Sequence, residues 1–199
     1  MILIKHRVNS LKKLKNLPKI YGIELDIRSL KNQITIGHEP FNKSQHLKKL
    51  IKYYKHRFVI FDMKEEGLEP KVLQLIKRKK IKNYFFLNVN PSRINFFLKK
   101  RKKINLCLRL SKIENVKNIQ IFKGRIKWIW IDTFDNKIPL KANELQRIHK
   151  TFNLCLVSPE LVPTNNISIN KFAKNNQSKI KFFSAICSKK LFLWEKILD

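Results

Sequence analysis

The chain has 199 residues, with 44 Lys or Arg against 14 Asp or Glu and a formal net charge of +30. That length suits one domain with a sizeable core, and a hydrophobic share of 43% excludes a disordered chain. No run reaches the roughly 18 uncharged apolar residues of a membrane span, and "MILI" before Lys5 is too short for a secretory signal, so a cytoplasmic protein is expected, its charge compatible with peripheral contact at an anionic membrane.

Short apolar runs alternate with amphipathic segments along the chain. Strand 1 is "ILIK" (2–5), followed by a lysine-rich, proline-broken crossover whose helix is expected to be truncated. "YGIELDI" (21–27) is strand 2. A helix over "SQHLKKLIKYYK" (44–55) precedes strand 3, "RFVIFDM" (57–63), and "LEPKVLQLIKRKK" (68–80) is helical. Strand 4 is "NYFFLNV" (83–89), with a helix over 91–101. Strand 5 is "INLCLRL" (104–110), with a weak helix near 114–124. Strand 6 is "KWIWID" (127–132), with a helix over 142–152. Strand 7 is "NLCLVS" (153–158), with a short helix inside 164–179. Strand 8 is "KFFSAIC" (181–187), and "LFLWEKIL" (191–198) closes the chain as a helix.

Eight strands with helical crossovers predict an α/β fold, a compact (β/α)8 (TIM) barrel forming a single domain over 1–199. The stretch "NQITIGHE" (32–39) breaks the alternation. Too few residues separate it from Ile27 for a parallel crossover, so it must return as a β-hairpin after strand 2. A turn near Lys31–Asn32 would set Asp26 almost opposite Gly37 and His38.

The basic blocks "KRKK" (77–80) and "KKRKK" (99–103) fall at predicted helix ends, where cations offset the helix dipole without any ligand. They lack the exposed aromatics of a single-strand binder, and no nucleic-acid partner is expected. Cys107, Cys155 and Cys187 lie in apolar strand runs and have no metal-site spacing. They read as reduced core residues.

In a (β/α)8 barrel the active site lies at the C-terminal strand ends. Those ends carry His6 and Arg7, then Glu24 and Asp26, Asp62 and Lys64, Asn88 and Asn90, Arg109, Asp132, Ser158 and Glu160, and Lys189. Glu24 and Asp26 alternate by two and share one face. Like charges on a buried face repel unless a cation separates them. That cation is either Arg7 or Lys64, or a divalent metal completed by Asp62 with oxygen ligands, as Mg²⁺ or Ca²⁺ prefers. Arg109 and Glu160 are rim candidates for binding substrate or phosphate, or for pairing with each other. Trp128 and Trp130 are expected in the core or facing helices, with Asp132 on their side of the strand. His46, His56 and His149 read as surface residues.

"KHR" (5–7), "IELDI" (23–27), "GHEP" (37–40) and "FDMK" (61–64) resemble, in order, the four motifs of the glycerophosphodiester phosphodiesterase family, phospholipase-C-like phosphodiesterases built on a barrel. The resemblance implies that His6 and His38 are the catalytic histidines and that Arg7 and Lys64 bind phosphate. It also implies that Glu24 and Asp26 are metal ligands, with Asp62 where the family has a third, glutamate ligand. The sequence departs from the family at Val8, in place of a glycine, and at Glu39, in place of an aspartate. The implied activity is metal-dependent hydrolysis of a small, glycerophosphodiester-like phosphodiester by two histidines at the barrel mouth. The other readings are an inactive barrel serving as a binding module and a basic nucleic-acid-binding protein.

Overall fold

The apolar runs become short strands, and the amphipathic runs between them become helices, in a computed structural model that describes residues 1–40, 45–101, 103–114 and 119–199. The chain divides into two compact units. One is His6–Leu106, and the other joins Met1–Lys5 to Cys107–Asp199.

The first strand, β1 (Ile2–Lys5), belongs to the second of these units. The His6–Leu106 unit then runs α1 (Leu11–Asn16), β2 (Gly22–Leu30), β3 (Gln33–Ile36), β4 (Gln45–His46), α2 (Leu47–Tyr53), β5 (Val59–Met63), α3 (Glu69–Arg78), β6 (Tyr84–Leu87) and α4 (Pro91–Lys99). The first crossover is truncated as expected. Ser10 caps α1 by accepting from Lys13 N, and Leu17 is already extended before Pro18, because proline pushes its predecessor out of the helical region. Helix α3 has Pro70 in its first turn, buries Val72, Leu73 and Ile76 on one stripe, and ends on Lys77 and Arg78, so that basic block does lie at a helix C-terminus.

Strands β2, β5 and β6 pair in parallel, with Asp26 beside Asp62. The expected hairpin forms between β2 and β3, where Leu30 pairs with Gln33. Its two turn residues, Lys31 and Asn32, have φ of 48° and 62°, the type I′ geometry that suits twisted strands. Helix α2 is shorter than the sequence suggests. Gln45 and His46 pair with Ile36 and Thr35 as β4, and Ser44 lies outside the described residues.

The other unit contains β7 (Cys107–Leu110), β8 (Trp128–Ile131), α5 (Ala142–His149), β9 (Asn153–Val157), α6 (Ile169–Asn175), α7 (Gln177–Ile180), β10 (Ala185–Ser188) and α8 (Leu191–Leu198). All its strand pairs are parallel: β1 with β10, β10 with β9, β9 with β8, and β8 with β7. Eight strands thus engage in parallel pairs among the described residues. Strands β6, β8 and β10 are buried at every position, the pattern of parallel strands covered on both faces.

Of the helix expected over 114–124, residues 115–118 lie outside the described residues, as does Lys102 in the second basic block. Beyond them Phe122 N and Lys123 N bond to the carbonyls of Ile119 and Gln120 as single turns. Cys107, Cys155 and Cys187 are free and buried, and Trp128 and Trp130 are buried too. His56 corrects the sequence reading. It is buried, with Nε2 3.1 Å from the Leu14 carbonyl, a partner 42 residues away that no local pattern reveals. No helix among the described residues is long and apolar enough to cross a membrane.

Candidate active site

Three carboxylates converge in the His6–Leu106 unit. The alternation along β2 turns Glu24 and Asp26 to one side, and the β2–β5 register brings Asp62 beside Asp26. One oxygen of each lies within 4.8 Å of the others. All three residues are buried, at 1%, 1% and 8% exposure.

Neighbouring segments hold these acids in place. Arg7 has φ of 54°, a left-handed turn after β1 that aims its backbone N–H at Glu24 Oε2, 2.7 Å away. Val8 N then donates to the Glu24 carbonyl at 2.9 Å. His6 Nε2 approaches Glu24 Oε2 to 3.7 Å. Asn9 and Asp26 bond reciprocally, Asn9 Nδ2 donating to Oδ2 at 2.6 Å and Asp26 N donating to Asn9 Oδ1 at 3.0 Å. Asn88, itself at φ 57°, donates to Asp62 Oδ1 at 2.6 Å.

The cations are unevenly shared. Lys64 Nζ lies 2.5 Å from Asp62 Oδ2 and 3.0 Å from Asp26 Oδ1. Arg7 Nε lies 3.7 Å from Asp26 Oδ2. Glu24 Oε1 is buried with no hydrogen-bond partner among the described residues. Burial, and then the charges of Asp26 and Asp62, raise the Glu24 pKa well above the ordinary carboxylate value. Burial also raises that of Asp62 against the pull of Lys64. Burial works against the Lys64 ammonium, but the acids, Asp62 foremost, outweigh it and raise its pKa. An orphaned buried carboxylate oxygen beside two more carboxylates is a donor set suited to a hard divalent cation, so these residues fit a metal.

His38 arrives by the hairpin. Gly37 N donates to the Asp26 carbonyl at 3.1 Å, as the expected register requires. The half-exposed His38 ring meets Glu39, Nδ1 to Oε1, at 2.5 Å, so the carboxylate directs the Nδ1 proton to itself and leaves Nε2 as the other ring nitrogen.

The remaining candidates lie in the other unit. Arg109 does not pair with Glu160. It donates to Asp132 Oδ2 from Nη2 at 2.7 Å and from Nε at 3.1 Å. Trp130 Nε1 donates to the other oxygen at 3.1 Å, so this tryptophan does share a face with the aspartate. Glu160 accepts from Ser158 Oγ, from Ser188 Oγ at 2.6 Å and from Lys189 N at 2.9 Å.

The sequence does not single out Asn9, Arg28 or Glu65. Asn9 alone carried a signal, its spacing of two from Arg7 at the end of an apolar run.

No model of a known protein family matches the sequence, and no curated protein matches it. Solved structures are similar. A phosphodiesterase of Oleispira antarctica, solved with the product sn-glycerol-3-phosphate, aligns with a TM-score of 0.70 at 12% identity, over 100% of this chain and 97% of its own. A glycerophosphodiester phosphodiesterase of Agrobacterium tumefaciens aligns at 0.67 and 10% identity, over 99% and 98%. A glycerophosphoryl diester phosphodiesterase of Parabacteroides distasonis aligns at 0.66 and 14%, over 94% and 82%. The strand–helix alternation, the strand-end acids and these likenesses lead to one conclusion: this chain has the (β/α)8 barrel fold of the glycerophosphodiester phosphodiesterases.

Proposed function

We propose that the chain works as a single phosphodiesterase-like domain over 1–199, hydrolysing a small phosphodiester of the glycerophosphodiester class. The observation that carries this reading is the buried triad Glu24, Asp26 and Asp62, with Glu24 Oε1 unsatisfied among the described residues, in a chain whose fold resembles that of an enzyme solved with sn-glycerol-3-phosphate.

The three acids would hold one Mg²⁺ or Ca²⁺, and such an ion supplies charge stabilisation at a phosphoryl oxygen. Arg7 and Lys64 add fixed positive charge beside that oxygen, where charge develops in the transition state. His6 and His38 divide the proton transfers. One removes a proton from the attacking water or substrate hydroxyl, and the other donates one to the leaving alcohol oxygen. With Glu39 at Nδ1 of His38, Nε2 is the ring nitrogen left for that work.

A second reading has one observation in its favour. Lys64 already occupies the cation position between Asp26 and Asp62, as it would in a metal-free barrel that only binds. Hydrolysis of an aryl phosphodiester with and without Mg²⁺ or Ca²⁺ separates the two. Metal-dependent turnover that collapses in both His6→Ala and His38→Ala supports the enzyme. Absence of turnover, with no calorimetric metal binding, supports the inactive barrel.

A further inference from the structure

A second polar network links the hairpin to the segment after β5. Strand β5 ends at Met63, where Lys64 N still donates to the Ile27 carbonyl at 3.0 Å. Glu65 then takes over along the edge of β2. Its Oε2 accepts from Ser29 N at 3.0 Å and from Ser29 Oγ at 2.5 Å. Its Oε1 lies 3.6 Å from Arg28 Nη1. Arg28 in turn donates from Nε to the main-chain oxygen of His38 at 3.0 Å.

The guanidinium is a rigid planar fork, so fixing one arm on Glu65 fixes the direction of the other. The arm held here points at the backbone of His38. Among the described residues the His38 ring is steadied by Glu39, whose side chain is 65% exposed, where a surface contact gives little order. Main-chain anchoring therefore falls to Gly37 N on Asp26 and to Arg28. Because Glu65 follows Lys64 directly, the same clamp ties the loop carrying Lys64 to the loop carrying His38.

We infer that Arg28, braced by Glu65, is a positioning residue that fixes His38 relative to the three acids. The inference rests on the reading of His38 as an acid–base group. Proton–nitrogen correlation spectra of the imidazoles test the clamp without any substrate. The His38 resonance, identified by its loss in His38→Ala, is expected to shift or broaden in Arg28→Met and in Glu65→Gln. That of His56, buried against Leu14, is expected to stay in place. In turnover of an aryl phosphodiester, Arg28→Met is expected to lower kcat by up to about a hundredfold, the scale of a roughly 1 Å misplacement, with KM unchanged. Arg28→Lys, which keeps the charge but not the fork, does not rescue it. In the His38→Ala background Arg28→Met costs nothing more. An unmoved His38 resonance overturns the inference, as does an equal Arg28→Met loss in the His38→Ala background. If Arg28→Met fails to fold, Glu65→Gln carries the same comparisons. If the wild type hydrolyses no phosphodiester, the proposed function falls while the spectra still decide the clamp.

Discussion

Lys64 reaches two of the three converging acids, and Glu24 keeps an oxygen without a partner among the described residues. Removing one partner from a buried charge group leaves the others uncompensated, at about 3 kcal/mol or more. Lys64→Met is therefore expected to lower the melting temperature in chelator by several degrees, and added Ca²⁺ to recover part of the loss. Equal melting curves for the two proteins would rule this out. Glu24→Gln removes one of the proposed ligands, and titration calorimetry is expected to show weaker divalent-metal binding than in wild type. The pH dependence follows from Glu24 and Asp62, whose folded pKa values are raised. A raised carboxyl binds its proton more tightly in the folded state, so metal-free stability falls as pH climbs from the ordinary carboxylate range through the raised values. Metal binding needs these groups ionised, so the shift in melting temperature on adding Ca²⁺ is expected to grow over the same window. A shift that shrinks with rising pH would contradict the ligand assignment.

The hairpin is the element whose geometry was most legible in the sequence. A short separation from Ile27 allowed only an antiparallel return, and the alternation of β2 set which residues faced which. What stayed hidden depended on lateral register or on distant partners. Glu65 meets Ser29 because β5 stops two residues earlier, a boundary that propensity does not fix. The tie between Asn9 and Asp26 needs the left-handed turn at Arg7. The turn itself is locally strained: neither Lys31 nor Asn32 is a glycine, though both sit at positive φ. Asn-Gly is the preferred type I′ pair, so replacing Lys31-Asn32 with Asn-Gly is expected to stabilise the protein by about 0.5–1 kcal/mol. Thermal denaturation measures this, and a destabilised variant would argue against the turn geometry.

At the scale of the whole molecule, strand count and parallel pairing were readable because each apolar run is short and each crossover long enough for a helix. The lysines carry no such positional information, and their effect is collective. A net charge of +30 repels itself, and salt screens exposed charges beyond about 8–10 Å. Raising NaCl from about 0.02 to about 0.5 M is expected to raise the melting temperature, and a fall would mean that attractive surface pairs outweigh the repulsion.

The three cysteines lie together in one of the two compact units, on β7, β9 and β10, while His6–Leu106, the unit of Glu24, Asp26 and Asp62, has none. Burial, first among the causes, raises the thiol pKa values of Cys107 and Cys155, so in the closed state they are poor nucleophiles as well as inaccessible ones. The native chain thus carries its own chemical stopwatch for half of its structure. The rate at which a thiol reagent modifies it reports how often the cysteine-bearing unit opens, and Ca²⁺ held by the acids as proposed would slow that rate only if both units open together.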